Sequence, residues 1–121
     1  MVCIVKMKDD LNIELETIEN KIMIRLDGRL DALSSHALEK KIQILIEEKH
    51  IRIMLDFSGI DYLSSAGMRL LLSVSKKLKN IKGYLVIFSL TDEVMDVIKM
   101  AGFDKILNIC KSEQQAVQFH P

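Results

Sequence analysis

The sequence carries no surplus charge of either sign. Its 17 Lys and Arg residues balance 17 Asp and Glu residues, so no net field draws the whole molecule toward nucleic acid or an anionic membrane, and partners have to be chosen by local surface. Long apolar runs are also missing. The longest are a few residues, far short of the about twenty that span a bilayer, and Met1 to Lys8 is too short for a secretory signal. A cytoplasmic protein is expected, with no direct contact to nucleic acid or membrane. Cysteine is scarce: Cys3 and Cys110 lie far apart with no CxxC spacing, which reads as two reduced thiols rather than a disulfide or a metal site. His36, His50 and His120 are scattered, without HExxH spacing, so no metal is expected. Proline occurs once, at Pro121, and no repeat, low-complexity stretch or linker divides the chain.

Catalytic constellations are lacking as well. There is no GxSxG elbow, and although His36 follows Ser35, adjacent helix residues point apart. Gly28, Gly59, Gly67, Gly83 and Gly102 never approach GxxxxGK[ST] or GxGxxG spacing, which removes the usual phosphate-binding loops. Asp27, Asp31, Asp56 and Asp61 read as turn and capping residues. An enzyme is not expected, nor a cofactor.

What is present is a globular balance, 49% hydrophobic and 28% charged over 121 residues, enough for one continuous core but not two. Leu11, Ile13 and Leu15 alternate with polar neighbours, and Ile22, Ile24 and Leu26 repeat the pattern. The two strands form an antiparallel hairpin turning at Glu19 and Asn20. Met1 to Asp10 adds a further strand or forms a loose arm. Leu38, Ile42, Leu45 and Ile46 recur at helical spacing, with Ser34 or Ser35 as N-cap. Ile51 to Leu55 reads as a strand buried on both faces. Ser64 and Ser65 precede a second helix, ending near Asn80, with Leu71, Leu72, Val74, Ser75 and Leu78 as its buried stripe. Tyr84 to Phe88 is a strand, and Thr91 caps a third helix that buries Val94, Val97, Ile98 and Ala101 and stops at Gly102. Lys105 to Ile109 reads as the last strand, and Ser112 with Gln115 has the capping-box spacing of a short final helix. Alternating strands and helices need parallel crossovers, so the fold class is α/β: a mixed β-sheet, N-terminal hairpin and about four packed helices, in one domain over residues 1–121.

One segment stands out, Asp56-Phe57-Ser58-Gly59-Ile60-Asp61-Tyr62-Leu63-Ser64-Ser65-Ala66-Gly67-Met68-Arg69, running from a buried strand into a helix. A helix N-terminus offers unpaired amides and about half a positive charge, so a phosphate carried there is stabilised by the backbone. Ser64 or Ser65 is placed to be a phosphosite, or simply to cap the helix.

Continued through Leu70, Leu71 and Leu72, this segment resembles the hallmark of STAS-domain anti-sigma-factor antagonists. Leu26-Asp27-Gly28-Arg29-Leu30-Asp31 resembles the family's earlier GxLD element, and the likeness extends over residues 11–119. The resemblance implies that Ser65 is the phosphorylated serine, with Ser64 as second candidate, because the family often has aspartate where Ser64 stands and serine or threonine where Ala66 stands. It also implies that Asp31 and Asp56 lie near that serine. Asp31, Asp56, Ser64, Gly67, Met68, Arg69 and Leu72 are then candidate partner-binding residues; the competing readings are core packing for Met68 and Leu72 and a solvated charge for Arg69. The implied partners are an anti-sigma factor that is also a serine-protein kinase, sequestered by the unmodified module so that a sigma factor is freed, and a serine phosphatase that resets the switch. The family offers other readings: a nucleotide-binding STAS domain, or a STAS subunit of a stressosome or lipid-transport complex.

Overall fold

A computed structural model describes residues 2–6 and 11–121. The strands are β1 (Val2–Lys6), β2 (Leu11–Ile18), β3 (Lys21–Leu30), β4 (Arg52–Leu63), β5 (Tyr84–Phe88) and β6 (Asn108–Cys110). The helices are α1 (Ala32–Glu47), α2 (Ser65–Asn80), α3 (Asp92–Met100) and α4 (Glu113–Val117), with a 3-10 turn over Phe103–Lys105. The strands form one sheet in chain order, β1-β2-β3-β4-β5-β6. β1, β2 and β3 pair antiparallel, whereas β3 to β6 pair parallel. The expected mixed sheet and hairpin are therefore present. The turn between β2 and β3 is tight enough to hold Glu19 at φ 56. Of the segment Met1 to Asp10, Val2–Lys6 is a strand; the remainder lies outside the described residues.

Alternation along the strands sorts side chains to two faces. On one, Leu11, Ile13, Ile22, Ile24, Leu26, Ile53, Leu55, Phe57, Leu85 and Ile87 share a core with the buried sides of α1, α2 and α3. On the other, Met23, Met54, Tyr84, Val86 and Phe88 form a smaller cluster with Ala116 of α4, and Val117 and Phe119 pack against it. β5 supplies both, and all five of its residues are buried.

Several boundaries differ from the sequence reading. β4 does not end at Leu55 but continues to Leu63, because β3 pairs with it as far as Leu30↔Leu63. Register shifts between Arg25 and Asp27 and between Gly28 and Arg29, with Gly28 at φ 128, absorb the turn-forming residues of that stretch. The N-cap of α1 is Asp31 rather than Ser34 or Ser35; Ser34 instead completes a capping box from the third helical position. The last strand is Asn108–Cys110, since Phe103–Lys105 coils and Leu107 points into the core. In α3 only Val94 and Ile98 are buried, and Val97 and Ala101 are exposed. Ser112 caps α4 as expected, but Gln115 Oε1 accepts from Lys111 N rather than from the cap's own amide. Cys110 is a half-buried free thiol whose pKa is raised by burial. Among the described residues no group of three His, Cys, Asp or Glu is arranged to hold a metal, and no helix is long and apolar enough to cross a membrane.

Candidate functional site

The parallel pairing of β3 with β4 brings the C-terminal ends of both strands to one edge of the molecule, and a helix starts immediately after each. Two helix N-termini, each with unpaired amides and partial positive charge, therefore lie side by side.

Asp31 caps the first. Its Oδ1 accepts from Ser34 N at 3.0 Å, while Asp31 N donates to Ser34 Oγ at 3.0 Å and that hydroxyl donates to Arg29 O at 2.7 Å. The hydrogen bond from the Ser34 amide favours the ionised carboxylate and holds Asp31 below the ordinary carboxylate pKa.

Ser64 caps the second and ties it to β3. Its backbone N donates to Leu30 O at 3.0 Å, its Oγ donates to the same oxygen at 3.1 Å, and Oγ accepts from Gly67 N at 3.1 Å. The hydroxyl of Ser64 is thus consumed in building the joint. Ser65, the first residue of α2, is exposed and takes part in no side-chain hydrogen bond among the described residues.

Gly67 is part of the same joint. A Cβ there would lie 2.7 Å from Leu30 O and 2.8 Å from Leu63 Cδ1, so glycine is what lets the first turn of α2 sit on the end of β3. Met68 is buried in the core and Leu72 packs half-buried against it, whereas Arg69, one turn beyond Ser65, is exposed. The resemblance placed Asp56 beside the serine; the structure places it elsewhere. Asp56 lies on the opposite face of the sheet, seven residues before the end of β4, or about 20 Å along the strand. There its Oδ2 accepts from Arg25 Nη1 at 3.0 Å and its Oδ1 from Ser58 N and Oγ at 2.9 and 2.7 Å. Arg25 also pairs with Glu16 and Glu113.

The sequence reading missed two exposed apolar side chains at the edge where α1 and α2 begin. Leu33, in the first turn of α1, is 59% exposed and Tyr62 is 42% exposed. The Arg29 guanidinium lies 4.1 Å from the centroid of the Tyr62 ring, a cation–π contact that steadies the ring at the surface. One signal was available, since Leu33 falls off the Leu38, Ile42, Leu45 stripe; the exposure of Tyr62 follows from β4 running on to Leu63, which only its pairing with β3 reveals.

The arrangement has an exposed hydroxyl at one helix N-terminus, an adjacent capped helix and exposed apolar side chains at the same edge. The STAS-domain family model matches residues 12–116. The chain belongs to the STAS domain family. Over 106 residues it is 28% identical to the putative anti-sigma factor antagonist BtrV of Bordetella bronchiseptica, covering 88% of this chain and 91% of that protein. Its fold is that of solved STAS structures. An anti-sigma factor antagonist from Mycobacterium paratuberculosis superposes with a TM-score of 0.83 at 18% identity, over 94% of this chain and 97% of the other. SpoIIAA of Bacillus, solved in unphosphorylated and phosphorylated forms, gives TM-scores of 0.75 and 0.68 at 22% and 21% identity, each over 88% of this chain and over 93% and 96% of SpoIIAA. In this STAS domain the segment from Asp56 to Leu72 spans two places, an ion cluster on one face and a helix start on the other.

Proposed function

We propose that this STAS domain is an anti-sigma-factor antagonist that acts by binding rather than turnover. In its unmodified form it sequesters a cytoplasmic anti-sigma factor that is also a serine kinase, and so frees a sigma factor; phosphorylation of Ser65 ends the binding and a serine phosphatase restores it. The observation that carries this reading is the contrast between adjacent serines: Ser64 Oγ is held by Leu30 O and Gly67 N, while Ser65 is exposed at the first position of α2. Relatives named as anti-sigma factor antagonists, and a fold shared with a protein solved in a phosphorylated form, support it.

The docking face of this reading is centred on Ser65 and takes in the exposed Leu33, Tyr62 and Arg69, with Asp31 and Leu72 at its border. Phosphoserine adds about 1.5 to 2 negative charges and three acceptor oxygens. The α2 N-terminus tolerates that charge in the free module, whereas a partner closing over Leu33 and Tyr62 has to strip water from it. Release then requires no refolding.

Incubation with the cognate kinase, followed by phosphopeptide mapping and calorimetry, tests the proposal. Ser65→Ala is expected to bind the kinase and remain unphosphorylated, and Ser65→Asp to bind more weakly. Ser64→Ala is expected to keep both properties while losing about 1 kcal/mol of stability with the cap. Phosphate on Ser64 in the unaltered protein, or undiminished binding by Ser65→Asp, would defeat the assignment.

A further inference from the structure

At the end of the sheet away from Ser65, Lys21, Arg52 and Tyr84 open β3, β4 and β5. Ile22 pairs with Ile53 and Arg52 with Tyr84, so the three side chains stand abreast on the α4 face, on strands about 4.8 Å apart. Lys82 from the turn after α2, Asn20 from the hairpin, and His120 with Pro121 close around them into a cleft of about 380 Å³. No acidic side chain lines the cleft, and none of Lys21, Arg52 and Lys82 forms an ion pair among the described residues.

Two of the lining side chains are more than nine-tenths buried and under-satisfied. Tyr84 is 6% exposed and its hydroxyl has no hydrogen-bond partner among the described residues. Lys21 is 7% exposed, and its Nζ donates to the carbonyl oxygen of Val117, which leaves the other N–H donors of the ammonium to be met. A buried cation facing one neutral acceptor is costly unless an anion joins it.

We propose that this cleft binds a small molecule through a phosphate group, with Lys21 donating from its floor and Arg52 and Lys82 from its mouth. Several donors converging on one point match the several acceptor oxygens of a phosphate dianion better than the two of a carboxylate. The volume leaves room for a compact organic group beside the phosphate. The ligand would sit at the opposite pole from Ser65, leaving the docking face uncovered.

A titration of the full chain by ¹H–¹⁵N NMR tests this with inorganic phosphate and glycerol 3-phosphate as probes, against chloride at matched ionic strength. Saturable shifts are expected at Asn20, Lys21, Arg52, Lys82 and Tyr84, with glycerol 3-phosphate the tighter probe. Arg52→Gln and Lys82→Gln should each weaken it about tenfold. Lys40→Gln, exposed on α1 across the sheet from the cleft, should change nothing. Shifts that rise linearly or are reproduced by chloride would overturn the proposal. So would wild-type affinity in both Arg52→Gln and Lys82→Gln, or binding of inorganic phosphate as tight as that of its ester.

Discussion

Three helices cover one face of the sheet, whereas among the described residues the other is covered only by the five residues of α4 and the chain that follows them. Under α1, α2 and α3 the core is continuous from Leu11 to Leu107, and apolar contact holds the helices down along their length, with polar ties to β3 at their starts, from Ser34 to Arg29 O and from Ser64 to Leu30 O. Under α4 the apolar patch is small, with Phe119 set edge-on against Tyr84 at 5.2 Å, and two polar ties supplement it, Arg25 with Glu113 and Lys21 with the Val117 carbonyl. The hallmark segment contributes to both faces. Asp56 anchors the ion cluster of the thin one, while Ser64 and Gly67 build the helix joint of the thick one. Nearness in a motif is therefore not nearness in a site.

If the comparison holds, deletions on the two faces should differ sharply. Phe57, fully buried on the thick face, is expected to cost about 3–5 kcal/mol as Phe57→Ala, while Phe119→Ala, at the margin of the thin face, should cost about 1–2 kcal/mol. Equal losses in urea unfolding would break the contrast. Gly67→Ala comes next, at about 1–3 kcal/mol, because its Cβ would be pressed against Leu30 O and something has to shift. The perturbed amides should be those at the start of α2 and the end of β3, read by NMR.

Asp31→Ala should cost about 1 kcal/mol through loss of the capping box, and it carries a pH signature. The folded carboxylate has its pKa lowered by the Ser34 amide, and Glu113 has its pKa lowered by hydrogen bonding to Arg25. Both contribute stability that is present above their unfolded pKa values, about 4, and lost as pH falls through the lowered folded values. Unfolding free energy should therefore fall in acid below about pH 4, and Asp31→Asn should flatten part of that slope. The smallest effect belongs to Glu113→Gln, under about 1 kcal/mol because the pair is partly exposed. Its cost should shrink in high salt; a salt-independent loss would mean that Glu113 acts by packing.

The fold was largely legible in the sequence because alternation and helical spacing report burial directly. Tyr84 to Phe88 and the Thr91 cap were read where they lie. The end of β4 was not, because Ser58, Gly59 and Asp61 are turn formers locally and only pairing with β3 across two register shifts keeps them extended. Asp31 was missed as a cap because the apolar stripe of α1 starts at Leu38, two turns after the helix itself. In the candidate site, Ser65 was singled out by its match to the family's serine two residues before Gly67, but which of the two serines has a free hydroxyl depends on Leu30 O, contributed by a strand 34 residues before Ser64. Residue spacing carries no record of that bond.

The sheet order has a consequence for how the protein is made. Every strand pairs with the one before it in the chain, so each new element leaving a ribosome can add to an edge already formed. No strand has to wait for a distant partner, and little loop-closure entropy is spent at any step. The joint at Ser64 is complete once α2 has emerged, before the last two strands exist. A regulator needed quickly could in this way acquire the surface that bears Ser65 while its own C-terminal third is still being synthesised.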